Sequence, residues 1–408
     1  MYQKIKNIFH LLNAITAACW YQFPGKKLTV IGVTGTSGKT TTAHMLYEVL
    51  KASRVKVSLI STISAIINEK SIDTGFHVTT PSPWTLQKLI RDAQKGGSQY
   101  LILEVTSHAL DQYRVWGTSI DIAIITNITH EHLDYHKTFE NYRNTKARIL
   151  KGTKCSILNY EDPAFSFLKK NSSGMVITYG LSSEADVSPK NVSMSLGLPG
   201  IFNYLNALSA LAVGRYLGLS NETSAKALEK FSLLEGRMEE IANHKNIRII
   251  IDFAHKPDAL EQVLKTARTM TKKNVIVMFG CAGLRDRLKR PMMGEIASRL
   301  ANYAVFTAED PRSEDVRDII NQIAKGALTT GLMSECKKSK RYSLILGNQK
   351  LFWKIPDRQE AINFILRTLA KPGDVVLLCG KGHERSMCYG KKEYPWNEHK
   401  AVQKALHG

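Results

Sequence analysis

The stretch Thr34-Gly35-Thr36-Ser37-Gly38-Lys39-Thr40 sets a lysine, hydroxyls and two glycines directly after the β-branched run Leu28 to Val33. A strand feeding a glycine-bearing loop that opens a helix gathers backbone N–H groups able to bind phosphate. In such a loop Gly35, Thr36, Ser37, Gly38 and Thr41 form the cradle, Lys39 reaches the terminal phosphates and Thr40 offers its hydroxyl to Mg²⁺. The spacing departs from Gly-x-x-x-x-Gly-Lys-Ser/Thr, because Val33 stands where the first glycine belongs. The competing reading is an ordinary strand–turn–helix with a solvated lysine. Glu104 ends the apolar run Tyr100–Leu103, and an acid at the carboxyl end of a parallel strand near a phosphate loop can hold the nucleotide's Mg²⁺. His132 follows the next apolar run, in Thr126-Asn127-Ile128-Thr129-His130-Glu131-His132-Leu133-Asp134. With His130 and His136 it makes three histidines within seven residues, at a spacing that matches no standard zinc motif. A surface histidine is the default reading; beside a phosphate loop, a ligand for a second Mg²⁺ is the sharper one.

The elements that must position these groups alternate. Strand-like runs at 28–33, 57–60, 100–104 and 121–126 interleave with helical ones near 41–52, 83–95 and 138–150, which predicts a doubly wound parallel sheet. A second series at 247–252, 275–279, 303–307 and 375–378 has helices near 258–270 and 357–369. Between the two, Leu196-Gly197-Leu198-Pro199-Gly200 leads into a helical pair over 203–231. Residues 1–26 read as an amphipathic helix ended by Pro24-Gly25. The predicted architecture is α/β: a phosphate-loop, parallel-sheet nucleotide domain over 27–236 and a Rossmann-like domain over 237–408.

Composition narrows the class. Among 408 residues, 43% hydrophobic and 23% charged content are ordinary for a globular protein, whereas a net charge of +20 is not. That charge suits an anionic substrate, an anionic membrane or nucleic acid. No nucleic-acid motif accompanies it, and the longest basic run, Lys337 to Arg341, is broken by serine. Six cysteines without a Cys-x-x-Cys pair argue against structural zinc or a disulfide framework, and a cytoplasmic location is expected. Lys4 and Lys6 before the apolar stretch Ile8–Trp20 resemble a signal peptide, but His10 and Asn13 interrupt it. The expectation is a helix packed on the domain, with peripheral membrane contact as its alternative role.

The blocks Gly35–Thr40, Glu104–Gln112 and Thr126-Asn127 with His132–His136 resemble the Mur ligases, most closely the branch that adds the third residue of the muramoyl peptide. The similarity continues through Phe202–Ala207, Gly236-Arg237, Asp252–Leu260, Phe279–Gly283, Arg285–Arg287, Glu309–Arg312 and Gly380–Glu384. It implies an ATP-dependent amide ligase. The γ-phosphoryl group passes to a carboxylate, and an amino acid's amine then displaces phosphate from the acyl phosphate. By the resemblance, Lys39, Glu104, His132 and Lys146 are catalytic. Thr40, Glu104, His132 and Lys146 serve Mg²⁺, the last as a carbamylated lysine. Asn203 and Asn206 contact adenine, Asp252 the ribose, and Arg237 the nucleotide. Thr79, Thr80, Ser107 and Arg114 bind the muramoyl peptide. Arg285, Asp310, Arg312, Gly380 and Glu384 bind the incoming amino acid.

In relatives that use meso-diaminopimelate, the block written here as Glu309-Asp310-Pro311-Arg312 reads Asp-Asn-Pro-Arg. Asp310 therefore replaces an amide with an anion, which favours an ammonium. Arg312 can grip a carboxylate bidentately and so disfavours lysine as the amino acid. Meso-diaminopimelate is the leading expectation, with UDP-N-acetylmuramoyl-L-Ala-D-Glu as acceptor and peptidoglycan precursor synthesis as the setting. Family members also carry an N-terminal UDP-gripping domain of roughly ~90 residues, whereas about 25 residues precede the first strand here. Either a partner supplies the uridine grip or the acceptor is another anionic carboxylate, as in folylpolyglutamate or poly-γ-glutamate ligases. A non-catalytic nucleotide-binding relative is the third reading, and the joint presence of Lys39, Thr40, Glu104, His132 and Lys146 argues against it.

Overall fold

The computed structural model describes residues 2–72, 79–232, 234–336 and 349–407. The basic run Lys337 to Arg341 lies outside the described residues. The chain divides into two compact units, Met1–Ser232 and Leu233–Gly408.

Unit 1 is built on β1 (Thr29–Thr34), β2 (Val57–Ile60), β3 (Ala65–Ile67), β4 (Lys70–Ile72), β5 (Tyr100–Glu104), β6 (Ile122–Ile125), β7 (Cys155–Asn159) and β8 (Met175–Tyr179). Their order is β4-β3-β2-β5-β1-β6-β7-β8, parallel from β2 to β8 with an antiparallel β3–β4 edge. The central strands are continuous apolar runs because helices cover both faces of a parallel sheet; every residue of β2 and β6 is buried. From β1 the chain runs one way through β5 and β2 and the other way through β6, β7 and β8. A crevice at such a switch point opens at the carboxyl ends of the strands. Register places Val33 beside Glu104 and Thr34 beside Ile125, so both candidate acid and loop leave the sheet at one edge.

Helix α1 (Tyr2–Trp20) packs on α3 (Pro83–Lys95), and its Ala14, Ala17 and Ala18 are buried. Trp84 Nε1 donates to Asn13 Oδ1 at 2.8 Å, and Asn7 Nδ2 to Asp111 Oδ2 at 2.9 Å. Ile8, Phe9, Leu12 and Trp20 stay exposed, the last at 71%. Among the described residues no helix is long and apolar enough to cross a membrane. Helix α2 (Lys39–Ala52) follows the phosphate loop, is buried along most of its length and packs against the helix Ile201–Tyr216.

Unit 2 carries β9 (Glu239–Ile241), β10 (Arg248–Asp252), β11 (Val275–Phe279), β12 (Tyr303–Phe306), β13 (Met333–Glu335), β14 (Lys350–Lys354) and β15 (Val375–Cys379) in the order β13-β14-β12-β11-β15-β10-β9. All pairs are parallel except β10–β9. A hairpin, β16 (Ser386–Tyr389) and β17 (Lys392–Pro395), follows.

Arg358 fastens this unit from within. It is fully buried, donates twice from Nε to the Glu398 carboxylate (3.2 and 3.0 Å), and reaches Ala308 O at 3.1 Å and Cys379 O at 2.9 Å. One guanidinium thus joins the ends of β12 and β15 to the last helix, Glu398–His407. Replacing Arg358 by methionine removes the cation and strands a buried carboxylate. The expected loss is roughly 3–5 kcal/mol, read as a lowered urea midpoint; R358M/E398Q should recover part of it.

Candidate active site

The loop between β1 and α2 is clamped by the residues after β6. Thr36 N donates to Asn127 O at 2.8 Å and Ser37 N to Asn127 Oδ1 at 2.9 Å. In return Thr126 Oγ1 and Asn127 Nδ2 donate to Ser37 O at 2.6 and 3.1 Å. The clamp leaves no room for side chains. A Cβ on Gly35 would stand 1.8 Å from Thr126 Oγ1, and one on Gly38, whose φ is +82°, 2.4 Å from Asn206 Oδ1. This is a cradle that a methyl group would fill, opening at the N-terminus of the 14-residue α2, and it fits a phosphate chain. Lys39 Nζ arches over it, 3.1 Å from Gly35 O and 3.0 Å from Thr36 O.

A hydroxyl–carboxylate pair borders the cradle. Thr40 Oγ1 donates to Glu104 Oε1 at 3.1 Å, while Glu104 Oε2 accepts from Thr62 N and Thr62 Oγ1, both at 2.9 Å. Glu104 is buried at the end of β5, so its orientation is set by the sheet. Two hard oxygens beside a phosphate cradle suit Mg²⁺, which takes one or two protein oxygens and completes its octahedron with phosphate and water. Among the described residues, no three His, Cys, Asp or Glu side chains form a ready-made metal cluster. His132 stands in an aromatic group: its ring is 4.8 Å from His108 and 6.3 Å from Tyr142, and Nδ1 is 3.7 Å from Glu131 Oε1.

Lys146 is 1% exposed. Its Nζ donates to Gly35 O at 2.7 Å and lies 4.8 Å over the Tyr142 ring, whose hydroxyl bonds Thr36 Oγ1 at 3.0 Å. It therefore touches the same loop carbonyl as Lys39. Asn203 and Asn206 sit on the helix Ile201–Tyr216 behind the loop; Asn203 Nδ2 donates to Pro199 O at 2.7 Å, and Asn206 Oδ1 accepts from Thr42 Oγ1 at 3.2 Å.

Three of the other predicted unit 1 residues, Thr79, Thr80 and Arg114, form one hydrogen-bonded edge. Thr62 Oγ1 reaches Thr79 Oγ1 at 3.0 Å, Thr80 Oγ1 donates to Glu104 O at 3.0 Å, and Arg114 Nη1 donates to Thr80 O at 2.8 Å. Ser107 bonds His136 Nε2 at 3.1 Å. Burial pushes His136 down to about 4, against the pull of Asp111 and with the cations Lys146 and Arg148, so it is neutral near pH 7.

In unit 2, Asp252 accepts from Met238 N and Ala254 N, both at 2.7 Å, and Arg237 stacks over Phe253 at 4.7 Å. Arg285 is exposed between β11 and the helix Lys289–Leu300. Asp310 Oδ1 accepts from Lys381 Nζ at 2.9 Å and from Cys388 N at 3.0 Å. The Arg312 amide donates to Cys388 O at 3.0 Å with φ at +52°, locking its loop to β16. Gly380 lies next to Lys381, which also pairs with Glu384 at 2.6 Å. Unit 1 thus gathers Lys39, Thr40, Glu104 and Lys146 around one loop, with Thr79, Thr80 and Arg114 on the edge that joins Glu104. Unit 2 gathers Asp310 and Glu384 around Lys381.

Four contributors were missing from the residue-level reading. Asn127 and Lys381 lay inside the quoted blocks, where a polar residue beside a motif was the available signal. Tyr142 was visible only as part of the helix carrying Lys146. Thr62, in the turn after β2, carried no signal.

A phosphate cradle, a hydroxyl–carboxylate pair and a following α/β unit define a nucleotide-dependent enzyme of the phosphate-loop class. Residues 33–214 match the Mur ligase middle domain, and residues 236–382 match the domain described as Mur ligase, glutamate ligase domain. The UDP-N-acetylmuramoyl-L-alanyl-D-glutamate–2,6-diaminopimelate ligase 1 of Clostridium acetobutylicum is 37% identical, covering 96% of this chain and 81% of the relative. A UDP-N-acetylmuramyl-tripeptide synthetase of a Roseiflexus species is also 37% identical over 96% of this chain and 81% of its own length. Among solved structures, a UDP-N-acetylmuramoyl-L-alanyl-D-glutamate–2,6-diaminopimelate ligase aligns over 93% of this chain and 78% of that one, with a TM-score of 0.60 and 29% identity. Escherichia coli FolC shares the fold at 18% identity and a TM-score of 0.69, over 90% of this chain and 89% of its own. The chain belongs to the Mur ligase family, and it is an ATP-dependent, ADP-forming amide ligase of the kind that uses Mg²⁺.

Glu309 adds a pH dependence. It is fully buried with Oε2 unbonded, and burial pushes its carboxyl up to about 7; Lys289 and Lys381 pull the other way, while Asp310 and Glu384 add to the rise. A raised acid favours the protonated folded state, so its stabilisation is complete below the ordinary glutamate range and is lost as pH rises through about 7. The urea midpoint of the native chain should fall relative to that of E309Q between pH 5 and 8; parallel curves would refute the assignment.

Proposed function

We propose that this chain joins meso-diaminopimelate to a carboxylate of UDP-N-acetylmuramoyl-L-alanyl-D-glutamate, the reaction named for its 34–37% identical relatives. The observation that carries the amino-acid assignment is Arg312 on the same short loop as Asp310, which Lys381 links to Glu384. A cation beside acidic groups complements a far end bearing both carboxylate and ammonium. The side chain of lysine offers only the ammonium.

In this reading the loop amides and Lys39 hold the phosphates, and Thr40 and Glu104 hold Mg²⁺. The metal, when bound, offsets the negative charge that keeps carboxylate and triphosphate apart. The acceptor carboxylate oxygen takes the γ-phosphoryl group and ADP leaves. The amine nitrogen then bonds the acyl carbon, the carbon–oxygen bond to phosphate breaks, and the amine gives up a proton. Thr79, Thr80 and Arg114, on the hydrogen-bonded edge that joins Glu104, and Ser107 are the residues that would face the acceptor.

Lys146 is proposed to act as a carbamate. Its burial is the condition for an amine to lose its proton, and a carbamate keeps one N–H for the bond to Gly35 O while adding two oxygens for metal. Intact-protein mass spectra should show the gain of one carbon dioxide on the native chain and none on K146A. That variant should lose at least about a hundredfold in turnover, as removal of a charge-stabilising group does, with partial recovery in a short-chain carboxylate. A fully active K146A overturns the role.

Phosphate release tests the whole reading. Meso-diaminopimelate with UDP-N-acetylmuramoyl dipeptide should stimulate it; stimulation by L-lysine alone would overturn the amino acid. Equal rates with the same dipeptide lacking UDP would overturn the UDP-linked acceptor.

A further inference from the structure

Lys381 is 0% exposed, and its ammonium meets two carboxylates, Asp310 Oδ1 at 2.9 Å and Glu384 Oε2 at 2.6 Å. These acids come from separate elements. Asp310 lies on the loop after β12, and Glu384 in the turn after β15. Asp310 Oδ1 also takes the Cys388 amide, and the Arg312 amide bonds Cys388 O, so that loop is sewn to the β16–β17 hairpin. Burial pulls the Lys381 ammonium down, but its two acids more than offset this and leave it raised.

We propose that Lys381 is a positioning residue for amino-acid specificity: an internal counter-ion that occupies Asp310 and orients Glu384, leaving Glu384 to meet the incoming ammonium. The exposures support the assignment. Glu384 is the more exposed acid, at 17% against 10% for Asp310. Asp310 spends one oxygen on two internal donors, both of which an asparagine carbonyl could satisfy equally. The inference rests on the amino-acid site described under the proposed function.

The test is steady-state kinetics on the full chain with D310N, D310N/K381M and K381R. D310N keeps an acceptor for Lys381 and Cys388 and serves as the reference for the double variant. D310N/K381M removes one charge of each sign and leaves Glu384 without its lysine partner. Its KM for the amino acid should rise about tenfold or more above that of D310N, with the KM for ATP unchanged, because loss of a buried charge partner acts on the group it held. K381R, which keeps the charge, should fall between the two. A double variant indistinguishable from D310N overturns the inference, as does an equal rise in both KM values. The comparison can be made with whichever amino acid the native enzyme accepts. A native preference for L-lysine would therefore remove the diaminopimelate reading while the role of Lys381 was still decided by the KM ratio.

Discussion

The separation between Gly35 and Thr126 is the constraint on which unit 1 depends. With less than a methyl group of room there, the loop can approach β6 only as glycine, and Asn127 can then take the Thr36 and Ser37 amides. Those bonds fix the carbonyls of Gly35 and Thr36, to which Lys39 and Lys146 are tied. Two lysine nitrogens are therefore held against one turn of backbone before any phosphate arrives. A site assembled in advance does not need to reorganise when charge develops, which is where most electrostatic stabilisation of transition states originates.

The same economy recurs in unit 2. Arg358 and Lys381 are both fully buried cations, and each joins strand ends that have no covalent reason to stay together. Buried pairs of this kind are weak evidence for stability, since apolar replacements often do as well. Their value lies in geometry. Arg358 sets the ends of β12 and β15, and those ends carry Glu309–Arg312 and Gly380–Glu384.

Much of this fold was legible because parallel strands buried on both faces are continuous apolar runs. The runs at 57–60, 100–104 and 275–279 coincide with β2, β5 and β11. Not legible were β7 and β8, which follow the helix predicted at 138–150; β8 begins with the exposed Met175 and lies at the sheet edge, where the apolar signal is diluted. Nor was the short β3–β4 pair, whose outer strand is exposed throughout. The predicted helix at 138–150 ends as an α-helix at Ala147 and tightens into a 3₁₀ turn, Arg148–Leu150. The candidate site was legible wherever a motif carried it. Thr62 was not, because a threonine in a turn acquires meaning only when the sheet brings Glu104 within 2.9 Å.

Asp310 shows the deeper limit. Read as a letter, an acid where relatives have an amide is a new negative charge offered to the substrate. In the fold its Oδ1 already accepts from Lys381 and Cys388. A formal charge at a position and a charge presented to a ligand are different quantities, and the difference is set by whatever else is buried nearby. For a chain with a net charge of +20 the reverse also holds. Arg358 and Lys381 are buried against internal carboxylates, so part of that excess organises the interior rather than attracting an anion. What a ligand meets is therefore the balance left after internal pairing, not the formal charge read from the sequence.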